Sequence, residues 1–278
     1  MDLFKARSCV LATQHGKEEV IAPLLERELG VKVLVPRGFD TDRFGTFTGE
    51  ISRPANQLAT ARLKAQAAMD QLGLSLGVAS EGSFGPHPNS AFLASNREIV
   101  LLYDTKNHLE IWGEILTTAT NFASELVCQV EDALQFAQRV SFPSHALTLS
   151  IPSRIHKGIT QEAELIHTFT TLLSLSQTGS VRIETDMRAM LNPTRMKVIA
   201  QATQELIQKI RSQCPACGTP GWSVVEIRRG LPCAQCGNPG QTPRAHIYRC
   251  HHCLHRQEVL FPLGIKTADP ATCSFCNP

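Results

Sequence analysis

Four Cys-x-x-Cys pairs crowd into one stretch of this chain: Cys214-Pro-Ala-Cys217, Cys233-Ala-Gln-Cys236, Cys250-His-His-Cys253 and Cys273-Ser-Phe-Cys276. A two-residue spacer lets one tight turn present two sulfurs to a single tetrahedral ion. Four such turns supply eight ligands, enough for two closed four-cysteine zinc sites. Gly218, Gly237 and Asn277 follow three of the pairs and tolerate the backbone such knuckles demand. Sequential pairing would leave loops of 15 and 19 residues. Interleaved pairing, first with third and second with fourth, would brace the module crosswise. Spacing alone leaves both open. Between the knuckles, Trp222–Ile227, His246–Tyr248 and Gln257–Phe261 read as short strands. Their core is too small to fold alone, so metal must supply much of the folding energy. His251, His252 and His255 read as exposed hairpin residues, because eight thiolates already fill two sites. Closed sites have no open coordination position, which makes the module a scaffold, docking surface or lid and not a hydrolytic centre.

The cysteines also divide the chain. Of 278 residues, the first 213 hold only Cys9 and Cys128, which are expected to be small buried hydrophobes. The expected domains are therefore 1–211 and 212–278. Net charge splits the same way, −1 for 1–211 and +3 for 212–278. Eight thiolates and two Zn2+ would bring the second part to about −1, so bulk charge makes no case for nucleic acid. No apolar run approaches the ~20 residues of a membrane span. The opening MDLFKARSCVLAT lacks the long apolar stretch of a secretory signal. Reduced thiols in a cytoplasmic protein are the expectation. A disulfide-rich toxin, a membrane-spanning chain and a disordered chain are excluded.

The first part alternates. A strand at Ser8–Ala12, a turn, a helix over Lys17–Leu29 and a strand at Val31–Val35 make an αβ crossover. A polar, glycine-containing loop over 37–53 precedes an Ala-rich helix from Pro54 to Leu72. A strand at Leu76–Ala79 runs into a polar turn, Ser80 to Pro88. Strands near Glu98–Tyr103 and His108–Ile115 read as a hairpin. A polar stretch follows, then a helix at Glu131–Val140, a strand at Ala146–Ile151, a helix at Gln161–Ser176 and a strand at Val181–Ile183. Asn192 caps a long helix that has Pro193 in its first turn and runs to about Arg211. The expected fold is α/β: a mixed sheet flanked by helices, followed by a small all-β zinc-ribbon-like domain.

Three polar constellations sit where strands end, as ligand sites in α/β folds do. Thr13-Gln14-His15-Gly16-Lys17 offers helix N-terminal amides and a lysine, which suit a phosphate. Ser80-Glu81-Gly82-Ser83, with Gly85 and His87, puts a carboxylate among glycines, which suits a divalent ion. Glu184, Asp186, Arg188, Asn192 and Arg195 combine carboxylates with arginines, the natural clamps for phosphate. None of these segments contains a Ser/His/Asp or Cys/His nucleophile arrangement.

Taken in order, the first two constellations and the helix between them resemble the inosine/xanthosine triphosphatase-like nucleotide pyrophosphatases. The likeness rests on Thr13–Lys17, on Ala59-Thr60-Ala61-Arg62-Leu63-Lys64-Ala65 and on Ala79-Ser80-Glu81-Gly82-Ser83, over about 85 residues. It implies that Lys17 contacts phosphate, Arg62 or Lys64 faces the nucleotide, and Glu81 binds magnesium. The chain departs from that pattern in two places. Gln14 replaces the usual Asn, and Pro54, Asn56 and Gln57 stand where carboxylates are expected. Over nearly its whole length, with GLPCAQCGNP and a closing CSFCNP, the chain is also similar to an uncharacterised bacterial family.

The leading expectation is a metal-dependent nucleotide hydrolase or nucleotide-binding protein with two structural zinc ions. In it Glu81 and Asp186 hold Mg2+, and Arg188 shares the catalytic centre. Thr13, Lys17, Arg62, Lys64, Asn192 and Arg195 bind the phosphate-bearing ligand. The rival is a non-enzymatic zinc-ribbon protein. In that reading Arg228, Arg229, Arg244, Arg249 and Arg256, with Trp222 and Tyr248, grip nucleic acid or a protein partner.

Overall fold

The computed structural model describes residues 3–41, 44 and 56–278. Most of the loop over 37–53, and Pro54, lie outside the described residues. The chain forms two compact units, Met1–Ile207 and Gln208–Pro278.

The first unit begins with β1 (Ser8–Ala12), α1 (Glu18–Leu29) and β2 (Lys32–Leu34), the crossover expected from the apolar run, polar turn and amphipathic helix. Gly30, in the left-handed region at φ 66°, ends α1 where a side chain would be strained. Asn56 caps α2 (Gln57–Leu72) by accepting from the Ala59 amide at 2.9 Å. The small residues of α2, Ala61, Ala65 and Ala68, let it lie close on Val10, Ala12, Ala79 and Leu101 of the sheet. β3 (Leu76–His87), β4 (Ser90–Asp104) and β5 (Leu109–Thr117) complete a five-stranded sheet of order β2-β1-β3-β4-β5. β1 runs parallel to β2 and β3, while β4 is antiparallel to β3 and β5.

Ser80 to His87 is therefore strand and not the expected polar turn. Its partners are non-local: Glu81 pairs with Ile99, Gly82 with Glu98 and Phe84 with Asn96. The cross-strand ladder overrides weak local propensity.

A second sheet of order β6-β9-β7-β8 is antiparallel throughout. It comprises β6 (Ser124–Val127), β7 (Leu147–Ile151), β8 (Arg154–Ile159) and β9 (Val181–Thr185). α3 (Val130–Arg139) and α4 (Glu162–Leu175) bury Phe136, Leu165 and Phe169 against its Leu147, Leu149 and Ile183. β6 and β8 carry no sequence signal because they are the edges: Arg154, Ile155, His156 and Lys157 of β8 are all exposed. Cys9 is buried as expected, but Cys128 is exposed, because it follows edge strand β6 rather than entering a core. α5 (Pro193–Arg211) follows a short 3-10 turn, Ala189–Leu191. It lies directly on β5 at Gly113, where any β-carbon would overlap the Ala202 carbonyl and the Leu206 amide.

The second unit holds β10 (Ser223–Arg229), β11 (Pro243–Arg249) and β12 (Arg256–Leu260) as one antiparallel sheet around Ala245 and Ile247. No helix among the described residues is long and apolar enough to cross a membrane.

Candidate metal centres and a buried ion cluster

The knuckles are built by their own backbones. The Gly218 amide donates to the Cys214 carbonyl at 2.8 Å, and the Gly237 amide to Cys233 at 3.0 Å. Both glycines sit in the left-handed region, at φ 70° and 73°. Leu254 takes the same conformation, φ 61°, after the third pair, so a side chain bears there the strain that glycine avoids elsewhere. Amides of Ala216 and Gln235 point at the sulfurs of Cys214 and Cys233, each at 3.4 Å, and so favour thiolates.

Sulfurs meet in two groups: Cys214, Cys217, Cys250 and Cys253, and Cys233, Cys236, Cys273 and Cys276. The pairing is thus interleaved, first knuckle with third and second with fourth. Cys214 and Cys253 Sγ are 3.7 Å apart, as are Cys217 and Cys250; Cys233 and Cys276 stand at 3.8 Å and Cys236 and Cys273 at 3.7 Å. Disulfides need about 2.05 Å. A tetrahedron with zinc–sulfur bonds of ~2.3 Å has edges of about 3.8 Å, so each group fits Zn2+. The Cys217 thiol is brought down to about 5, first by the Thr219 hydroxyl 3.2 Å away and then by the Thr219 amide. Each ion would be held by four sulfurs, and its role there would be to tie distant turns together. His251 and His252 are exposed, and His255 stacks on Trp222 at 5.4 Å. No histidine enters either group.

Of the five arginines expected to grip a partner, Arg244 and Arg249 are exposed and the other three have partners. Arg228 pairs with Glu226 at 3.0 Å and Glu258 at 3.1 Å, Arg256 pairs with Glu226 at 2.7 Å, and Arg229 donates to the Gln241 carbonyl. Trp222 has one further ring neighbour, Tyr248, at 5.7 Å.

In the first unit, residues of all three polar constellations meet around the end of β1. Lys17 closes the turn after β1 and is buried; its Nζ donates to Ser80 Oγ at 3.0 Å and to the Ser80 carbonyl at 3.4 Å. Gly16, at φ 70°, brings the turn against Met190 of the 3-10 turn. Gln14 accepts from the Thr41 amide at 2.9 Å and so anchors the turn's other side. Gly82 and Glu98 are register partners and share one face of the sheet, so Glu81 points to the other. On Glu81's side, α2 brings Lys64 to 2.5 Å from its carboxylate, both side chains buried. On Glu98's side, α5 brings Arg195, Nε to Oε1 2.7 Å, both fully buried. Arg195 also donates to the Met187 carbonyl, and its guanidinium lies 5.2 Å over the Phe84 ring. Gly82 is required here, because a β-carbon would overlap Glu98 and stand 2.6 Å from Arg195. Glu98, within the apolar run of β4, belongs to none of the sequence constellations. A carboxylate alternating with Val100 and Leu102 on one strand face was the available signal.

The other expected residues are placed as follows. Thr13 is buried, and its hydroxyl has no hydrogen-bond partner among the described residues; the Asn96 side-chain carbonyl oxygen is in the same state. Arg62 pairs with Glu110 at 2.5 Å, outside the cluster. Asp186 is bound by Arg188 at 2.6 Å and also accepts from the Arg188 amide at 3.0 Å. These two adjoin the cluster through backbone, with the Asp186 carbonyl accepting from Asn192 Nδ2 at 3.3 Å. Asn192 caps α5, accepting from the Arg195 amide at 2.9 Å. Among the described residues, three or more metal-ligating side chains converge only in the two cysteine groups. The two carboxylates expected to hold Mg2+, Glu81 and Asp186, stand in separate ion pairs with Lys64 and Arg188.

Two buried ion pairs, Lys64–Glu81 on one face of the sheet and Arg195–Glu98 on the other, thus both act on Lys17 at the end of β1. The Lys17 amine is brought down to about 7, first by burial, then by Arg195 and less by Lys64, with Glu98 and Glu81 opposing. Among the described residues this gathers three buried cations and two buried carboxylates at the end of β1, beside the N-terminus of α1.

The signature of a domain of unknown function, DUF6671, matches residues 64–278, and the chain belongs to that family. Lys64, Glu81, Glu98, Arg195 and all eight knuckle cysteines lie within the match, and Lys17 precedes it. A search of curated proteins found no match.

Proposed function

We propose that this DUF6671 protein binds a phosphate-bearing small molecule of the nucleotide kind where β1 ends, beside Ser80 and Glu81 of β3, and that its two four-cysteine groups hold structural zinc. The observation that carries the reading is the gathering of three buried cations, Lys17, Lys64 and Arg195, with Glu81 and Glu98 beside the end of β1. A buried ammonium that donates to neutral oxygens, as Lys17 does to Ser80, gains from an anion placed beside it. The α1 N-terminus beside Lys17 adds amides and the positive end of a helix dipole. Thr13 Oγ1 and Asn96 Oδ1, buried without partners among the described residues, offer a donor and an acceptor to a ligand. The resemblance of the Thr13–Lys17 turn and Glu81 strand to nucleotide pyrophosphatases points to the same ligand class. The ion pairs on Glu81 and Asp186 favour binding over metal-assisted cleavage.

Calorimetry of the zinc-loaded full chain against nucleoside mono-, di- and triphosphates tests the reading, with and without Mg2+. Saturable binding is expected, weakened at least tenfold by Lys17→Met. Failure of every nucleotide to bind would overturn it, and release of diphosphate from a bound triphosphate would convert the binder into an enzyme.

A further inference from the structure

The sheet of the second unit has two edges, and they are built differently. β10 carries an extra residue, Val225, with no partner on β11, and its ladder shifts again between Arg228 and Arg229. Irregularities of this kind twist an edge away from further pairing. β12 has none: Arg256 to Leu260 pair residue for residue with Arg249 to Ala245. All of its side chains are exposed, and it contains neither proline nor glycine. The ladder also fixes where its backbone groups point. The Cys250 amide donates to the His255 carbonyl, and the Phe261 amide to the Arg244 carbonyl. Antiparallel bonding alternates, so His255, Gln257, Val259 and Phe261 turn their N–H and C=O groups to β11. Arg256, Glu258 and Leu260 turn theirs outward, where no backbone group among the described residues meets them.

We propose that β12 pairs with β12 of a second copy of this chain, antiparallel about a two-fold axis at Gln257, joining two three-stranded sheets into one. The charges of the strand select both the occupant and the register. Residues directly opposed in such a pair turn their backbone groups the same way, so the axis must pass through a residue. Centred on Arg256 or on Glu258, it sets a charge against its own copy, which is destabilising. Centred on Val259, it sets Arg256 opposite Pro262, which has no N–H to give. Centred on Gln257, it sets Arg256 opposite the partner's Glu258 and Glu258 opposite the partner's Arg256, with the outward backbone groups of both facing each other. These side chains share one face of the sheet, where Arg256 holds Glu226 at 2.7 Å and Glu258 holds Arg228 at 3.1 Å. The new pairs join the two ion lattices. Arg256 also stands opposite Arg249 in its own sheet, and a carboxylate on its other side relieves that contact. A ladder this short gives a weak dimer that depends on concentration. The pairing is independent of any ligand of the first unit.

Sedimentation equilibrium of the zinc-loaded full chain, from a few micromolar to about a millimolar, should show monomer and dimer in exchange. Amide exchange should slow at Arg256 and Glu258 as concentration rises, while Gln257 and Val259, already bonded to β11, keep the same protection. Arg256→Glu and Glu258→Arg should each weaken the dimer about tenfold or more. Each also loses an exposed ion pair within the chain, which is worth little, so both zinc ions should be retained. Mixed in equal amounts, the two variants should associate at least as tightly as wild type, because one presents only acids and the other only arginines at the facing positions. Glu258→Pro, which removes an outward N–H and spares the ladder to β11, should abolish association.

A chain that stays monomeric throughout overturns the proposal. So does a dimer that survives both charge variants, or a mixture of the two that associates no better than either alone. The mixing result decides even where Glu258→Pro fails to fold.

Discussion

Removing one zinc site should empty both. In the interleaved arrangement, 32 residues separate Cys217 from Cys250 within the first site, and that segment carries Cys233 and Cys236, half of the second. Likewise the 36 residues between Cys236 and Cys273 carry Cys250 and Cys253. Releasing either ion frees a loop that holds ligands of the other. Closing loops of this length costs roughly 3.5–4 kcal/mol of chain entropy each. The side chains outside the sulfur groups that could hold the unit together are few. Ile210, Leu231, Ala245, Ile247 and Ala268 are its buried apolar residues, worth together roughly 6–10 kcal/mol. One tetrathiolate zinc site supplies about 10–16 kcal/mol, more than that core can replace.

The double variant Cys250→Ser/Cys253→Ser removes one whole knuckle and leaves two ligands at the first site. Native mass spectrometry should show two zinc ions per wild-type chain and none in the variant. Hydrogen exchange should show β10–β12 losing protection together. A variant that keeps one tightly held zinc, with the strands still protected, would refute the interlock. That result is what two independent sequential ribbons would give.

Three further outcomes follow from the first unit. Lys17→Met should raise stability at neutral pH while weakening nucleotide binding at least tenfold. The Lys17 amine titrates lower in the folded chain than unfolded, so its penalty is greatest at and below pH 7 and disappears above about pH 10. The gain, read from urea midpoints, should reach up to about 4 kcal/mol at pH 7 and shrink as pH rises. Gly82→Ala should destabilise by about 3–5 kcal/mol, because its methyl group displaces the buried Glu98–Arg195 pair. A urea midpoint like the wild type's would contradict that. His145 Nε2 accepts from the Thr194 amide at 3.3 Å and lies 2.9 Å from the Thr194 hydroxyl, at the start of α5, and burial lowers its affinity for a proton. Its contribution is complete above the unfolded value of about 6.5 and is lost as pH falls below it. Stability measured from pH 7 to 5 should therefore decline less steeply in His145→Asn than in the wild type.

The parts of the molecule legible from sequence are those whose cause is local. A two-residue spacer between cysteines, an apolar run before a polar turn, and Asn192 before Pro193 each dictate their structure within a few residues. β1, α1, α5 and the metal knuckles follow. What could not be read is what depends on distant partners. Cys217 carries nothing to show that Cys250, rather than nearer Cys233, completes its site. Ser80 to His87 has the composition of a turn and becomes strand because β4 pairs with it along its length. Arg195 stands beside Asp186 in sequence, yet its carboxylate is Glu98, 97 residues away. Arg62 has the motif neighbours of a nucleotide contact, and Glu110 claims it. Charged residues declare their chemistry in the sequence but not their partners.

The crosswise order of the knuckles also sets a timetable. A chain made from its N-terminus folds domain by domain as segments become available. Here the first knuckle waits for the third, and the second waits for Cys273 and Cys276. Until then each half-site is a pair of thiols, able to hold a metal loosely, exchange it or be oxidised. The second unit consequently assembles late and in one event. The metal supply that matters is the one present at that moment, after the first unit is already available to fold.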